Sequence, residues 1–394
     1  MPAPRRWPVV SALGVVQILT WGTSFYLPAV LAGPVAEGTG WPLAGVVGGL
    51  SVGLLVAGLA SPSVGAAIHR HGGRPVLALA ALFLAGGLTT LALAPALPVY
   101  LAGWLLLGLG MGCGLYDPAF ATLGRLYGAQ ARPAITTLTL WGGFASTVCW
   151  PLSAFLVAQA GWRGACLAYA GLHLLVTLPL ALCLIPPPPA LPEESERHAV
   201  ETGSLTAREG RAFLLFAGVL ILGGTVMSLV SVHLLTLLQA RGVTLAAAVS
   251  YGALIGPAQV AARAAEMAFK GRYHPLWTLT VAFGLIALGL AFLAGGAPGI
   301  GLWLVIYGGG NGIYSIARGT VPLALFGPLR YPLVVGRLAR PGLMAQALAP
   351  PAGAFVLTHA SPETLWWGLL ALTLANLCLI AALWRVKEPG APGR

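Results

Sequence analysis

Two ionisable side chains, Asp117 and Arg318, interrupt long runs that are otherwise almost free of charge, and Asp117 is the only aspartate of the 394 residues. A carboxylate in such surroundings is suited to taking up and releasing a proton, since dryness favours its neutral form and a nearby cation its charged form. Arg318 ends a stripe in which Asn311, Tyr314, Ser315 and Arg318 follow i, i+3, i+4, i+7, so all four share one helical face. Gln17, Thr20, Trp21 and Ser24 repeat that spacing, Gly110 and Gly114 leave room on the face of Asp117, and Thr225 and Ser228 stand three apart. Another face carries Gly252, Gly256, Gln259, Arg263 and Glu266. Arg263 and Glu266 are spaced to pair within one helix, and both can extend toward an aqueous interface, which favours a gate over a binding site.

Hydrophobic residues make up 58% of the chain and charged ones 8%, too little polar material to cover a soluble globule of this length. A membrane-spanning helix needs roughly 20 mostly apolar residues. That window predicts twelve spans, at 8–33, 41–68, 75–96, 98–124, 133–158 and 164–186, then at 213–238, 244–269, 275–296, 299–325, 341–358 and 364–384. With a cytoplasmic N-terminus, 17 of the 21 basic residues fall on the cytoplasmic side. These are Arg5, Arg6, Arg70, Arg74, Arg125, Arg132, Arg197, Arg208, Arg211, Lys270, Arg272, Arg330, Arg337, Arg340, Arg385, Lys387 and Arg394. Only Arg163 and Arg241 fall opposite, while Arg263 and Arg318 lie within spans. The bias predicts a multi-pass protein of the cell (inner) membrane with both termini cytoplasmic. The formal charge of +11 therefore reports orientation rather than nucleic-acid binding, because the basic residues stand singly at helix ends.

The five cysteines lack paired or metal-type spacing, so neither a disulfide framework nor a metal site is expected. The opening apolar run exceeds a signal-peptide core and reads as the first span. Four prolines from Pro186, followed by Glu193, Glu194, Glu196, Glu201 and Glu209, mark a linker at 187–212 between a six-helix bundle at 1–186 and another at 213–394. The halves repeat. A shift of 200 lays Gly108-Leu-Gly-Met-Gly over Gly308-Gly-Gly-Asn-Gly, and a shift of 202 brings Arg70 onto Arg272.

This plan resembles the major facilitator superfamily. The loop after span two, Gly65-Ala-Ala-Ile-His69-Arg70-His-Gly72-Gly-Arg74, is similar to that family's G-x-x-x-D-R-x-G-x-R motif, with His69 where the family has Asp. The stretch from Gly40-Trp41 to Gly72-Gly73-Arg74 also resembles the monocarboxylate-porter and oxalate/formate-antiporter branch. Two features depart from common family patterns: Trp104 stands where span four often has arginine, and span five, with Gly142, Gly143 and Pro151, lacks the G-P-x-x-G-G run of proton-coupled drug antiporters. The resemblance implies an all-α fold of two pseudo-symmetric six-helix bundles, alternating access, no cofactor, a single-subunit transporter, and a cavity lined by spans one, four, seven and ten. It implies gating by Gly65, His69, Arg70, Gly72 and Arg74, with Glu266 able to stand in for the absent acid.

On that plan Arg318, Asn311, Tyr314, Ser315, Gln17, Trp21 and Ser24 are candidates for binding a small-molecule substrate, Asp117 for coupling to protons, and Arg263, Glu266 and Gln259 for gating. The substrate class expected is a small organic anion such as a carboxylate, and the alternative is export of neutral or cationic amphipathic compounds that meet Asp117 directly. For Asp117 a coupling site and a cytoplasmic latch both remain open. His173 and His233 read as packing, Trp21, Trp141 and Trp150 as interior packing or cavity wall, and Trp366, Trp367 and Trp384 as interfacial anchors. An embedded enzyme is disfavoured because one aspartate cannot build a metal–carboxylate cluster. A channel is disfavoured because no ring of charge appears.

Overall fold

The computed structural model describes residues 6–190, 205–268 and 272–386. Arg5, Arg197, Lys270, Lys387 and Arg394, with the linker acids Glu193, Glu194, Glu196 and Glu201, lie outside the described residues. The described residues form helices joined by short breaks and connections. Among the described residues, eight helical stretches are long and apolar enough to cross a membrane; one of them, 97–184, holds spans four to six, and another, 300–359, holds spans ten and eleven. Span one is not among the eight, because a break divides it into Arg6–Gly22 and Pro28–Thr39. Large apolar side chains such as Leu59, Phe155, Leu175, Leu214 and Phe355 face outward, as a lipid solvent allows.

The breaks follow from proline and glycine. Pro28 has no N–H to continue the first helix, and Gly40, at φ 73°, ends the second with its own N–H on the carbonyl of Ala36. Span four divides at Leu115, where the backbone turns extended three residues before Pro118. Span five bends at Phe144, span six contains a single π-helical turn at His173–Thr177, and span eight divides at Leu254 ahead of Pro257. Gly161 and Gly327, both with φ near +70°, turn span five into span six and span ten into span eleven. Span seven begins at Ala207, earlier than hydropathy predicts, behind a Thr206–Glu209 capping box.

A larger correction concerns the expected connection at 326–340. It is helical from 328 onward, so span eleven runs from 328 to 359 rather than from 341 to 358. Arg330, Arg337 and Arg340 end the apolar window there without ending the helix, because arginine is a good helix former.

The contacts divide the chain into two compact units, Met1–Arg197 with Pro328–Arg340, and His198–Gly327 with Pro341–Arg394. Residues 328–340 thus group with the first unit, where helix backbones meet directly. A side chain on Gly65 would stand 2.5 Å from the Pro332 carbonyl, and one on Gly336 would stand 2.6 Å from the Ser61 carbonyl. Gly124 likewise leaves space for the ring of Tyr331.

Within each unit the glycine runs do the same work. A Cβ on Gly108 would press on the Gly53 carbonyl of span two, and one on Gly110 on Leu84 of span three. In the second unit, one on Gly308 would press on the Ile255 carbonyl of span eight, one on Gly310 on the Ala282 carbonyl of span nine, and one on Gly312 on the Gln259 carbonyl. The runs are close-packing surfaces.

Arg163 and Arg241, the two exceptions to the charge bias, also have parallel roles. Arg163 donates to the Ala94 carbonyl at the end of span three and lies over Trp162. Arg241 donates to the carbonyls of Leu293 and Ala294 at the end of span nine and lies over Trp366. Each guanidinium reaches a carbonyl at a helix end, those of Ala94 and Ala294 having no further helical turn to donate to them. Trp366 is consequently fully buried rather than an interfacial anchor, whereas its neighbour Trp367 is exposed.

Candidate functional site

In the first unit the candidates converge on the break in span four. In a continuous helix the carbonyl of Gly114 would accept from residue 118, but Pro118 has no N–H. The side-chain Nε2 of Gln17 takes that place, donating to the Gly114 carbonyl at 2.6 Å, and the Oε1 of Gln17 accepts from Trp21 Nε1 at 3.1 Å. Gln17 is fully buried, and Ser24, also fully buried, donates to the Thr20 carbonyl. Trp21 alone of these three is partly exposed. Asp117 sits in the first turn of the helix that restarts at Tyr116, where the positive end of the helix dipole favours a carboxylate. It is partly exposed and lies within electrostatic reach of the buried Tyr331 hydroxyl.

Around Trp21 is a group of rings that the polar stripes did not reveal. Trp21 stands 5.3 Å from Phe25, 6.0 Å from Tyr26 and 5.0 Å from Tyr116, centroid to centroid. Tyr116 stacks on Phe120, and Tyr26 meets Trp150 edge-on. Trp21 and Phe25 stand four apart and share a helical face, but Tyr26 joins them through the break in span one, and Tyr116 and Trp150 come from other spans.

The loop after span two is tied down at several points. Gly72, at φ 78°, ends the helix with its N–H on the Ile68 carbonyl, and its Cα faces Pro188 of the four-proline run. Thr122 packs on Gly73, and Arg125 Nε donates to the His69 carbonyl. His69 is buried, while Arg70 and Arg74 are exposed. His173, also buried, bonds Thr23 at 2.7 Å and Thr177 at 3.0 Å, linking the π-turn of span six to the break of span one.

In the second unit the span-ten stripe divides. Tyr314 is buried against Phe283, with its hydroxyl facing Gly223 of span seven. Asn311 is buried, and its Oδ1 has no hydrogen-bond partner among the described residues. Ser315, which donates to the Gly312 carbonyl, and Arg318 are partly exposed. Arg263 is buried, with Nε on the Gly312 carbonyl at 3.2 Å and Nη2 on Gln259. Glu266, three residues on, accepts from Thr278 of span nine at 2.8 Å.

Ser228 donates to the carbonyl of Gln346, a residue not singled out from the sequence. Pro350, four residues on, again removes the backbone donor that carbonyl would otherwise have. His233 bonds the Pro350 carbonyl at 3.0 Å, in keeping with a packing role.

Comparison with known proteins matches residues 12–336 to the family model of the Major Facilitator Superfamily. Monocarboxylate transporter 11 of Mus musculus is 30% identical over 76% of this chain and 75% of its own. The human organic anion transporter MFSD10 superposes with a TM-score of 0.75 at 18% identity, covering 96% of this chain and 100% of that one. The proton:xylose symporter XylE gives 0.74 at 12% identity over 99% and 97%. At these identities the structural matches speak for the fold alone, and the family rests on the model match and the mouse relative. A membrane transporter rather than an enzyme, this chain belongs to the Major Facilitator Superfamily.

Proposed function

We propose that the protein carries a small organic anion, a carboxylate or similar, across the cell membrane in exchange or symport with protons. The observation that carries this reading is the partly exposed Arg318, which ends the span-ten stripe within an apolar helix. A guanidinium on the partly exposed face of such a helix can give a carboxylate charge-assisted hydrogen bonds. The mouse relative's name, a monocarboxylate transporter, supports the same substrate class. Asp117 is the proposed proton carrier, and Gly65, His69, Arg70, Gly72 and Arg74, with Arg263, Gln259 and Glu266, are the proposed gating groups. The two six-helix bundles, the intervening linker, cytoplasmic termini and action as a monomer belong to the same proposal.

Uptake into proteoliposomes tests it. A pH gradient should drive accumulation of a radiolabelled monocarboxylate, and Arg318→Ala should abolish it. Equal uptake by the variant would remove Arg318 from substrate binding.

The drug-type alternative keeps one observation in its favour, since Asp117 directly follows Tyr116 of the ring cluster and rings beside a carboxylate suit organic cations. That alternative requires a neutral or cationic amphipathic compound to protect the protein against heat where carboxylates do not.

A further inference from the structure

The ring cluster lies wholly within the first unit and joins spans one, four and five. Two of its polar tips are used inward: Trp21 Nε1 donates to Gln17, and the Tyr116 hydroxyl donates to the Thr139 carbonyl at 3.3 Å. What Trp21 and Phe25 leave partly exposed is therefore largely ring carbon and π-face. Some large rings of the protein, including Trp104, Trp366, Phe216 and Phe283, are closed off completely, while Phe155, Trp277 and Phe355 are more exposed than Trp150. Phe25 and Tyr26 stand in the Thr23–Leu27 break, where no continuous helix needs them for its own packing. Phe120 stacks beneath Tyr116 with planes only 7° apart and holds that ring in a fixed orientation. A fixed set of edges and faces selects a flat apolar body over a short or bulky one.

We infer that the cluster of Trp21, Phe25, Tyr26, Tyr116 and Trp150 receives the planar, aromatic body of the substrate, so that the transported class is aryl-bearing carboxylates rather than short-chain ones. The carboxylate half of this assignment rests on the anion reading above; the ring half rests on the cluster.

Calorimetric titration of the purified full chain with phenylacetate, acetate, cyclohexylacetate, benzyl alcohol and benzyltrimethylammonium tests both halves separately. Phenylacetate should bind at least about tenfold more tightly than acetate and measurably more tightly than cyclohexylacetate. Phe25→Leu should weaken phenylacetate by about threefold to tenfold while leaving acetate unchanged. Trp150→Leu should act in the same direction, and because Trp150 is 43% exposed this second variant is expected to fold even where the first does not. A ratio of phenylacetate to acetate affinity that is the same in the original and in both variants, equal binding of cyclohexylacetate, or no binding of phenylacetate overturns the ring assignment. Benzyl alcohol or benzyltrimethylammonium binding as well as phenylacetate overturns the carboxylate half, and is told apart because the leucine variants would still weaken those ligands.

Discussion

Gln17 of span one completes the backbone of span four at Gly114. Its amide lies 2.6 Å from the one carbonyl that Pro118 deprives of a donor. In lipid an unsatisfied carbonyl has no water to fall back on, so the exchange stabilises more than a surface bond of the same length.

Gln17→Leu keeps the volume and removes the donor. It should destabilise the folded protein by about 1–3 kcal/mol, the cost of leaving a buried acceptor unpaired. Pro118→Ala restores the missing N–H, so the double variant should melt closer to the original than Gln17→Leu alone. Tryptophan-fluorescence melting in detergent checks this; a double variant worse than both singles would show that Gln17 acts by packing alone.

Gly65 and Gly336 face each other with a Cα-to-Cβ allowance of 3.0 Å or less on either side. Alanine at either position forces the two helices apart, at about 1–3 kcal/mol. Because both substitutions open one contact, their effects should not add: Gly65→Ala with Gly336→Ala should lower the melting temperature little more than the worse single variant. Additive losses would mean that the two glycines meet different neighbours.

Much of this was legible in advance, and the part that was not has a physical cause. Apolar runs located the spans because lipid demands them, and the 200-residue offset correctly paired Gly108 with Gly308 and Gly110 with Gly310. Helical spacing put Asn311, Tyr314, Ser315 and Arg318 on one stripe, yet a stripe is wide enough for Tyr314 to turn inward to Phe283 while Ser315 and Arg318 stay partly exposed. Helical spacing also pairs Trp21 with Phe25, whereas Tyr26 joins them only through the break in span one, and Tyr116 and Trp150 arrive from spans that periodicity cannot bring together. The proline four residues beyond a carbonyl was a readable signal. At Pro118 and Pro350 it marks Gly114 and Gln346 as acceptors in need of a side-chain donor, and Gln17 and Ser228 supply one.

Arg163 and Arg241 differ in how firmly they hold their carbonyls. Arg241 bonds two, those of Leu293 and Ala294, from a partly buried position, whereas Arg163 is exposed and makes one bond of 3.4 Å. Arg241→Ala should therefore cost about 1–3 kcal/mol and Arg163→Ala well under 1 kcal/mol. Neither should invert the protein in the membrane, since the basic residues that set orientation lie elsewhere. Thermal melting measures the first expectation, and cysteine labelling of intact cells at the chain termini measures the second; equal losses in the two variants would refute the ranking.

Asp117 separates proton coupling from binding. If its carboxylate carries the proton, Asp117→Asn fixes the neutral form, and accumulation driven by a pH gradient should fall to equilibration while exchange of labelled for unlabelled substrate continues. Asp117→Glu keeps a titratable group in the first turn of the same helix and should retain part of the accumulation, with its pH dependence shifted. A latch predicts a different result: Asn would loosen a contact in one conformation and alter exchange and accumulation together. Paired measurement of exchange and pH-driven uptake in the same vesicles distinguishes the two, and accumulation that survives Asp117→Asn unchanged would exclude Asp117 as the proton carrier.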